Sequence, residues 1–433
     1  MRSRTSLAPR QPIFYGWVIV GTVFIILMVT SGLGFYNASV ILSAAVKELD
    51  AEVGVVSGAT GLFFVVAGLT SAALSKLMDT VDLRWFFAAS GVIGSVALFS
   101  LRWVDSVPLL YAFFAVFGIA FALSGLVPST TLVARWFDRR RAIALSIAST
   151  GLSMGGILIT PFAARSITDV GLAASGQWMA VLWLIGVIPL ATLFLRSQPA
   201  DKGLQPDGAP APRTPVALPG ASFAEAIRTR FFRWLCLTYS MIFLAQVGAI
   251  AHLFNLIQDR QGADTAAYTL SALALTSVVG RLAGGALVLR VGTRTMTIAL
   301  TVLQGGSLIV LATADTGPLL LAGTILFGLS VGNLLMLQPL LLAEAFGVKA
   351  YSRIYSVSQL FGTIGVGGGP LLLGLLHDSF DYRVAFFVAA GANVVGLFAL
   401  MAAGGTEAPK ALWKAVAVPP EQPLVTTEPV PAR

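Results

Sequence analysis

Residues 268–289 read Tyr268-TLSALALTSVVG-Arg281-LAGGALV-Leu289, an apolar run of 22 residues with a single charge. A helix of this length is long enough to cross a bilayer whose hydrocarbon core is about 30 Å thick. Arg281 lies nine residues before Arg290, which places it roughly 13 Å inside that core at about 1.5 Å per residue. A charge at such a depth costs at least ~2.5 kcal/mol. We therefore expect Arg281 to face a polar cavity or a partner, which indicates an anion site inside a membrane protein.

The composition of the whole chain has the same character. Of its 433 residues, 56% are hydrophobic and only 11% are charged, and the mean hydropathy is +0.84. Such values exclude an ordinary soluble globular protein. Cys236 is the single cysteine, so no internal disulfide framework is expected.

Twelve apolar segments are long enough to cross a bilayer. They form two groups of six, at 14–196 and 232–404, on either side of a proline-rich stretch at 197–231. This stretch predicts an extended cytoplasmic linker. We expect residues 1–13 to be a cytoplasmic N-terminus and the proline-rich residues 405–433 to be a disordered cytoplasmic tail. The predicted fold is an all-α polytopic membrane protein with twelve transmembrane helices in two pseudo-symmetric halves.

The basic residues are unevenly distributed between the two sides of the predicted membrane. With the N-terminus inside, 22 of the 28 Lys and Arg residues lie in cytoplasmic segments, five lie outside and Arg281 is buried. The positive-inside rule therefore predicts a multi-pass protein of the cell membrane with both termini in the cytoplasm. The net charge of +8 then reflects topology and attraction to anionic lipid, and no nucleic-acid partner is expected. We expect the protein to be a monomer.

Two loops have matching charge spacings. Residues 75–84, after the second span, read SKLMDTVDLR, and residues 285–294, after the eighth, read GALVLRVGTR. A carboxylate at a helix end can accept hydrogen bonds from the N-terminus of a neighbouring helix or from an arginine. Charged residues of these loops are thus predicted to close an inner gate, and the alternative is that they only set topology. The gating candidates are Asp79, Arg84, Arg290 and Arg294.

The segment that leads into the fifth span is more specific. Residues 135–156 read RWFDRRRAIALSIASTGLSMGG, an aromatic pair and an arginine cluster followed by small residues at helical spacing. This pattern resembles the monocarboxylate transporters and oxalate–formate antiporters of the major facilitator superfamily. The loop 75–84 also resembles the cytoplasmic loop signature of that superfamily. The loop retains the signature's residues at Asp79 and Arg84 but departs from it at Ser75, Thr80 and Asp82.

The resemblance implies a secondary transporter, with no enzymatic activity and no cofactor, in which two helical halves rock around a site near the midplane. By position, Arg281 matches the arginine that binds the substrate carboxylate in these relatives. Ser277 matches a place where animal relatives carry an aspartate implicated in proton coupling, which argues against that form of coupling here. The oxalate–formate antiporters also use a lysine in the eleventh span, where Ser358 is the nearest position here. One buried cation favours a small monoanion over a dianion.

The planar fork of Arg281 suits bidentate binding of a carboxylate. Other polar residues within the spans are candidates for substrate contact, and the alternative for each is that it bridges two helices. These candidates are Ser277, Tyr36, Asn37, Asn333 and Gln359. A histidine side chain can relay a proton, so His252, with Asp259, is a candidate for proton coupling, although both lie near the outer end of the seventh span. For His252, an interfacial hydrogen bond is the simpler explanation.

The sequence thus predicts a transporter of a small organic monocarboxylate, such as lactate or pyruvate, coupled to protons or working by anion exchange. One alternative is an exporter of drugs or hydrophobic compounds from the same superfamily, and another is a membrane sensor that does not transport. Two distant histidines and one cysteine predict neither a metal site nor nucleophilic catalysis. The chain has no Gly-Lys-Ser/Thr loop for nucleotide phosphates, which disfavours an ATP-driven pump.

Overall fold

The computed structural model describes residues 14–208 and 218–414. Within these residues, eleven continuous helical segments are long and apolar enough to cross a membrane. One of them, Arg141–Phe194, has 54 residues and at 1.5 Å per residue would extend about 80 Å, far more than a bilayer. The chain turns inside this segment at Gly171, where φ is 80° and ψ is 173°. The turn divides the segment into two crossing helices, so the predicted twelve-helix fold is confirmed.

We number the membrane helices in chain order. They are α1 Gly16–Glu48, α2 Val53–Thr80, α3 Leu83–Ser100, α4 Val107–Trp136, α5 141–170, α6 172–194, α7 Arg230–Gln261, α8 Ala263–Val291, α9 Thr293–Thr313, α10 Gly317–Phe346, α11 Tyr351–Ser379 and α12 Tyr382–Ala403. Side-chain hydrogen bonds at the N-cap fix where several of these helices begin. The Thr229 hydroxyl caps α7 by accepting from the Phe232 nitrogen, and the Asp381 carboxylate caps α12 by accepting from the Val384 nitrogen.

The packing of the helices repeats between the first six and the last six. In the first half α1 packs on α5, α2 on α4 and α3 on α6; in the second half α7 packs on α11, α8 on α10 and α9 on α12. The two halves meet along α2 and α11 and along α5 and α8. A site between the halves is therefore bounded by these four helices.

Two helices of the first half are interrupted near mid-membrane. α1 contains a π-helical turn at Ser31–Phe35, and a Cβ on Gly32 would collide with Gly155 of α5. α4 breaks at Gly125, whose ψ is −157°. Non-helical backbone at membrane depth is tolerated where it is enclosed by protein or lines a cavity, so both breaks point to the space between the halves.

We call the side of the molecule that carries the α2–α3 loop, the chain between α6 and α7 and the α10–α11 loop the linker face. The described linker is more compact than the extended chain expected from its prolines. It forms short turns at Pro199–Lys202 and Pro206–Gly208 and a helix at Phe223–Arg228. It also pairs with the end of α10, because the Ala221 nitrogen donates to the Phe346 oxygen at 2.9 Å. These residues are held by backbone hydrogen bonds that composition does not reveal.

The beginning of the tail is also ordered, contrary to the expected disorder from residue 405. Residues Glu407–Lys414 form a helix that docks against α10. Lys410 Nζ lies 3.1 Å from Glu344, and Trp413 Nε1 donates to the Ala345 oxygen at 3.1 Å. Residues 1–13 and 415–433, for which a cytoplasmic terminus and a disordered tail were predicted, lie outside the described residues.

Candidate functional site

A cavity of about 320 Å³ lies between the two halves at mid-membrane. Residues of α1, α2, α4 and α5 line it from the first half, and residues of α7, α8, α10 and α11 line it from the second. Among the described residues that line it, Arg281 is the only Lys, Arg, Asp or Glu. The cavity therefore has one fixed charge, and this charge is positive.

Arg281 is 3% exposed and is held by backbone oxygens from two other helices. Nε donates to the Gly332 oxygen of α10 at 2.7 Å, and Nη1 donates to the Ser149 oxygen of α5 at 2.5 Å. In addition, the Ser146 hydroxyl donates to the Arg281 backbone oxygen at 2.5 Å. Nη2 makes no hydrogen bond within the described part of the chain. The predicted fork is thus partly occupied by carbonyls, and Nη2 is the nitrogen left for a ligand.

Three other predicted substrate residues line the same cavity: Ser277, Tyr36 and Gln359. Ser277 lies one helical turn before Arg281 on α8. Tyr36 directly follows the π-helical turn of α1 and is 37% exposed. The Oε1 atom of Gln359, on α11, is buried without a hydrogen-bond partner. The structure therefore brings four of the six predicted substrate residues together.

The other two, Asn37 and Asn333, are not among the residues that line the cavity. Asn37 is fully buried, and its amide nitrogen lies 3.3 Å from the Met179 sulfur of α6. The Asn333 amide donates to the Leu329 oxygen of its own helix and packs against Gly284 of α8. Both side chains bridge or pack helices, so we do not include them in the site.

The two residues predicted for proton coupling also lie away from this cavity. His252 Nε2 is 3.0 Å from the Pro370 oxygen of α11. Asp259 is exposed near the end of α7. Neither residue contacts Arg281 in the described structure.

The predicted gating residues separate into one contact between the halves and three residues outside it. The Asp79 carboxylate of α2 accepts from the Ser352 nitrogen at the start of α11 at 3.2 Å, and Arg135 lies 3.8 Å from the same oxygen. The hydroxyls of Thr131 and Ser352 are 2.9 Å apart. These contacts join the two halves at the linker face.

Arg84, Arg290 and Arg294 do not join the halves. Arg84 pairs with Asp82 at 2.6 Å, where α3 begins. Burial alone would raise the pKa of the Asp82 carboxyl, but hydrogen bonds from Arg84 and Ser197 outweigh it and hold this pKa below its ordinary value. Arg290 is exposed and Arg294 is half-buried at the linker face. Within the described residues, these three side chains therefore do not contribute to the contact between the halves at the linker face.

Sequence reasoning missed several residues that line the cavity or the gate. Gln246 of α7 lines the cavity, and so do Ser153 of α5 and Thr363 of α11. The signal for Gln246 was an amide inside the apolar run 242–250. Arg135, which belongs to the arginine-rich motif, was not recognised as the partner of Asp79. The aromatic rings that line the cavity also gave no signal, because phenylalanines are common in every span.

Hydrogen bonds of Ser146 and Arg281 join the halves at mid-membrane, and those of Thr131 and Asp79 with Ser352 join them at the linker face. Between the cavity and the linker face, the halves are therefore joined by the Asp79 contact and by the tie between α5 and α8.

Comparison with known proteins agrees with this arrangement. Residues 24–332 and 264–428 match the family model of the Major Facilitator Superfamily. The chain belongs to this superfamily and is one of its multi-pass membrane transporters.

Two relatives narrow the position within the superfamily. Monocarboxylate transporter 13 of Bos taurus is 25% identical over 390 residues, which cover 87% of this chain and 86% of that protein. The MFS transporter asaE of Aspergillus flavus is 28% identical over 338 residues, 75% of this chain and 71% of that protein. The resemblance to the monocarboxylate transporters expected from the motifs is thereby confirmed.

Solved structures share the fold. The structure of the human organic anion transporter MFSD10 aligns with this chain at a TM-score of 0.68 and 16% identity. The alignment covers 90% of this chain and 100% of the MFSD10 chain. The structure of the fucose:proton symporter FucP of E. coli aligns at a TM-score of 0.61 and 16% identity, over 90% of this chain and 96% of the FucP chain. At these identities the likeness concerns the fold alone.

Proposed function

We propose that this protein is a secondary transporter of an organic monocarboxylate, located in the cell membrane and working by alternating access. The observation that carries the proposal is Arg281, the single charged residue among the described residues that line the central cavity. A carboxylate is the natural partner of a buried guanidinium, since it offsets the cost of an unpaired charge. The similarity to monocarboxylate transporters supports the same substrate class.

Arg281 also couples ligand binding to the movement of the halves. In the structure, Nη1 is bonded to the Ser149 oxygen across the interface. A carboxylate that binds Nη2 and then Nη1 takes the place of Ser149, which weakens the tie between α5 and α8. With the linker face in the cytoplasm, as the positive-inside rule predicts, the Asp79 contact and the tie between α5 and α8 join the halves on the cytoplasmic side. Binding from outside then loosens this side.

The cavity offers a limited choice of coupling. Arg281 keeps its charge at accessible pH, and no Asp or Glu lines the cavity in the described residues. The site therefore supports exchange of one anion for another, or entry of a proton on the substrate itself, without a dedicated carrier.

The test is uptake of labelled lactate, pyruvate and 3-phenyllactate into proteoliposomes that contain the full chain. Arg281→Gln is expected to lower uptake at least about tenfold, because it removes charge-assisted hydrogen bonds of about 1.5–3 kcal/mol. Arg281→Lys keeps the charge but loses the fork, so uptake remains low. Arg290→Gln, on the same helix but exposed, is the matched control and keeps near-normal uptake.

The outcomes separate the rival functions. Normal carboxylate uptake by Arg281→Gln contradicts the proposal. An exporter of drugs or hydrophobic compounds predicts tolerance of this substitution and stabilisation of the protein by cationic dyes. A sensor that does not transport predicts ligand binding with no flux in vesicles.

A further inference from the structure

The two sides of the central cavity differ in chemistry. The first half contributes an aromatic wall, which we define as Phe35, Phe64 and Phe121. The rings of Phe35 and Phe64 meet edge to face with centroids 5.5 Å apart, so the wall is continuous between α1 and α2. Phe35 is 38% exposed, which leaves ring surface available to a ligand. Such rings favour an apolar and especially an aromatic group.

The second half contributes the charge and two amides without partners. Gln246 is 5% exposed, and its Oε1 atom is buried without a hydrogen bond. The Oε1 atom of Gln359 is in the same situation. Both residues line the cavity with Arg281. A buried polar atom without a partner costs about 1–3 kcal/mol, and nearly all such atoms in proteins are paired. A ligand that pairs with these amides therefore gains affinity.

The chemistry of the amides indicates which group the ligand carries. The oxygen and nitrogen ends of a glutamine amide are assigned from their hydrogen bonds, and here those bonds are missing. A hydroxyl both donates and accepts, so it satisfies either orientation of Gln246 or Gln359.

The size of the cavity argues against a very small substrate. At 320 Å³ it holds about ten water molecules of roughly 30 Å³ each. This volume lies within the range of about 300–1,000 Å³ that is typical of sites for drug-sized ligands. A three-carbon acid bound to Arg281 fills only part of this volume.

We infer that the substrate is an aryl-bearing monocarboxylate with a hydroxyl group, larger than the lactate-sized acid that the sequence predicted. Its carboxylate binds Arg281, its ring lies against the aromatic wall, and its hydroxyl pairs with Gln246 or Gln359. This inference rests on the proposed function and adds the substrate class and three specificity determinants, the aromatic wall, Gln246 and Gln359.

The experiment measures dissociation constants of the purified full chain for four matched acids: lactate, 3-phenyllactate, 3-phenylpropionate and 3-(4-hydroxyphenyl)propionate. 3-Phenyllactate is expected to bind at least tenfold tighter than lactate. At least one hydroxylated aryl acid is expected to bind at least fivefold tighter than 3-phenylpropionate. Phe64→Ala reduces the first ratio towards one, and Gln246→Leu with Gln359→Leu reduces the second.

Matched controls separate the local effects from general destabilisation. Phe398→Ala removes a ring that is 66% exposed on α12, and Gln258→Leu removes an exposed amide of α7; both keep the wild-type ratios. Equal affinity for lactate and 3-phenyllactate overturns the inference, and so does a hydroxyl preference that survives loss of both amides. In these cases, loss of all binding in Arg281→Gln still upholds the proposed function. If Arg281→Gln binds every acid normally, the proposed function itself fails.

Discussion

The guanidinium of Arg281, on α8, donates a hydrogen bond to the backbone oxygen of Ser149, on α5, at 2.5 Å. The two residues belong to different halves of the molecule, so one side chain both faces the central cavity and ties the halves together. Interactions that differ between two conformations are what allow a ligand to shift their populations. The proposed ligand site and the contact between α5 and α8 are therefore connected through a single residue, Arg281.

The tie between α5 and α8 can be weakened without touching the guanidinium. Ser146→Ala removes the hydroxyl that donates to the Arg281 backbone oxygen. One such hydrogen bond contributes about 1 kcal/mol, which corresponds to about a fivefold change in an equilibrium. The measurement uses a reporter cysteine, Ala142→Cys, at the linker end of α5 in a Cys236→Ser background. We expect this cysteine to react about five times faster with an impermeant maleimide when Ser146→Ala is added. Thr192→Ala, whose hydroxyl bonds only its own helix, keeps the original rate, and equal rates for both variants contradict the expectation.

The Asp79 contact at the linker face is expected to contribute more. Asp79→Asn leaves the side chain of Arg135, which is 1% exposed, without its carboxylate. Breaking a buried ion pair costs about 3–5 kcal/mol, so the thermal midpoint is expected to fall. The closed state also loses the charged acceptor of the Ser352 nitrogen, the contact that crosses between the halves. The measurements are maleimide labelling at the linker face and the thermal midpoint of the purified protein. Adding Arg135→Met to Asp79→Asn recovers part of the loss, because the unpaired charge is removed.

The same loop supplies a control for Asp79. Arg84 and Asp82 form an ion pair whose side chains are 31% and 26% exposed, and such pairs contribute about 0–1 kcal/mol. Arg84→Gln is therefore expected to leave labelling and the thermal midpoint nearly unchanged. If Arg84→Gln has an effect as large as that of Asp79→Asn, then the charge of the loop in general, and not the Asp79 contact in particular, holds the halves together.

Hydropathy was sufficient to predict the number of helices and their division into halves, because apolar length is a local property of the chain. The depth of Arg281 followed from the same count. The rotation of each helix did not follow from it. Tyr36 and Asn37 are neighbours and thus about 100° apart around a helix, yet Tyr36 lines the cavity while Asn37 contacts Met179 of α6. Only packing decides between such neighbours.

Small residues illustrate the same limit. The sequence predicted close packing along α5 but not its partners. Ser146 contacts α8, whereas Gly151 and Gly155 lie against the backbone of α1. The folded part of the linker was missed for a related reason, since its order depends on pairing with Phe346, more than a hundred residues later.

The tail helix gives a prediction about pH. Burial alone would lower the pKa of Lys410, but hydrogen bonds from Nζ to Glu407 and Glu344 outweigh it and raise this pKa. Because the pKa of Lys410 is raised when the helix is docked, its ionic contacts stabilise docking in full below the ordinary lysine pKa of 10.5. This stabilisation is lost as the pH rises above that value. The mobility of a spin label at Leu412→Cys should thus be constant from about pH 6 to 9 and increase only above about 10.5.

A substitution tests the same docking contact at constant pH. Lys410→Met is expected to increase the undocked population about fivefold, which corresponds to about 1 kcal/mol. Lys349→Met, at an exposed lysine of the same face, is the matched control. Label mobility that rises between pH 6 and 9, or that Lys410→Met leaves unchanged, shows that the ion pair does not hold the helix.

Gly155 allows a direct test of the close packing between α1 and α5. A Cβ at this position would collide with the Met28 oxygen and the Gly32 nitrogen, both backbone atoms that cannot rotate away. Gly155→Ala therefore forces the two helices apart, at a cost of about 1–3 kcal/mol. A Cβ on Gly367 of α11 would have no atom within 4 Å, so Gly367→Ala is neutral or stabilises the helix by up to about 1 kcal/mol. The thermal midpoint of purified Gly155→Ala should therefore lie clearly below that of Gly367→Ala; equal midpoints would mean that α1 and α5 are not in close backbone contact.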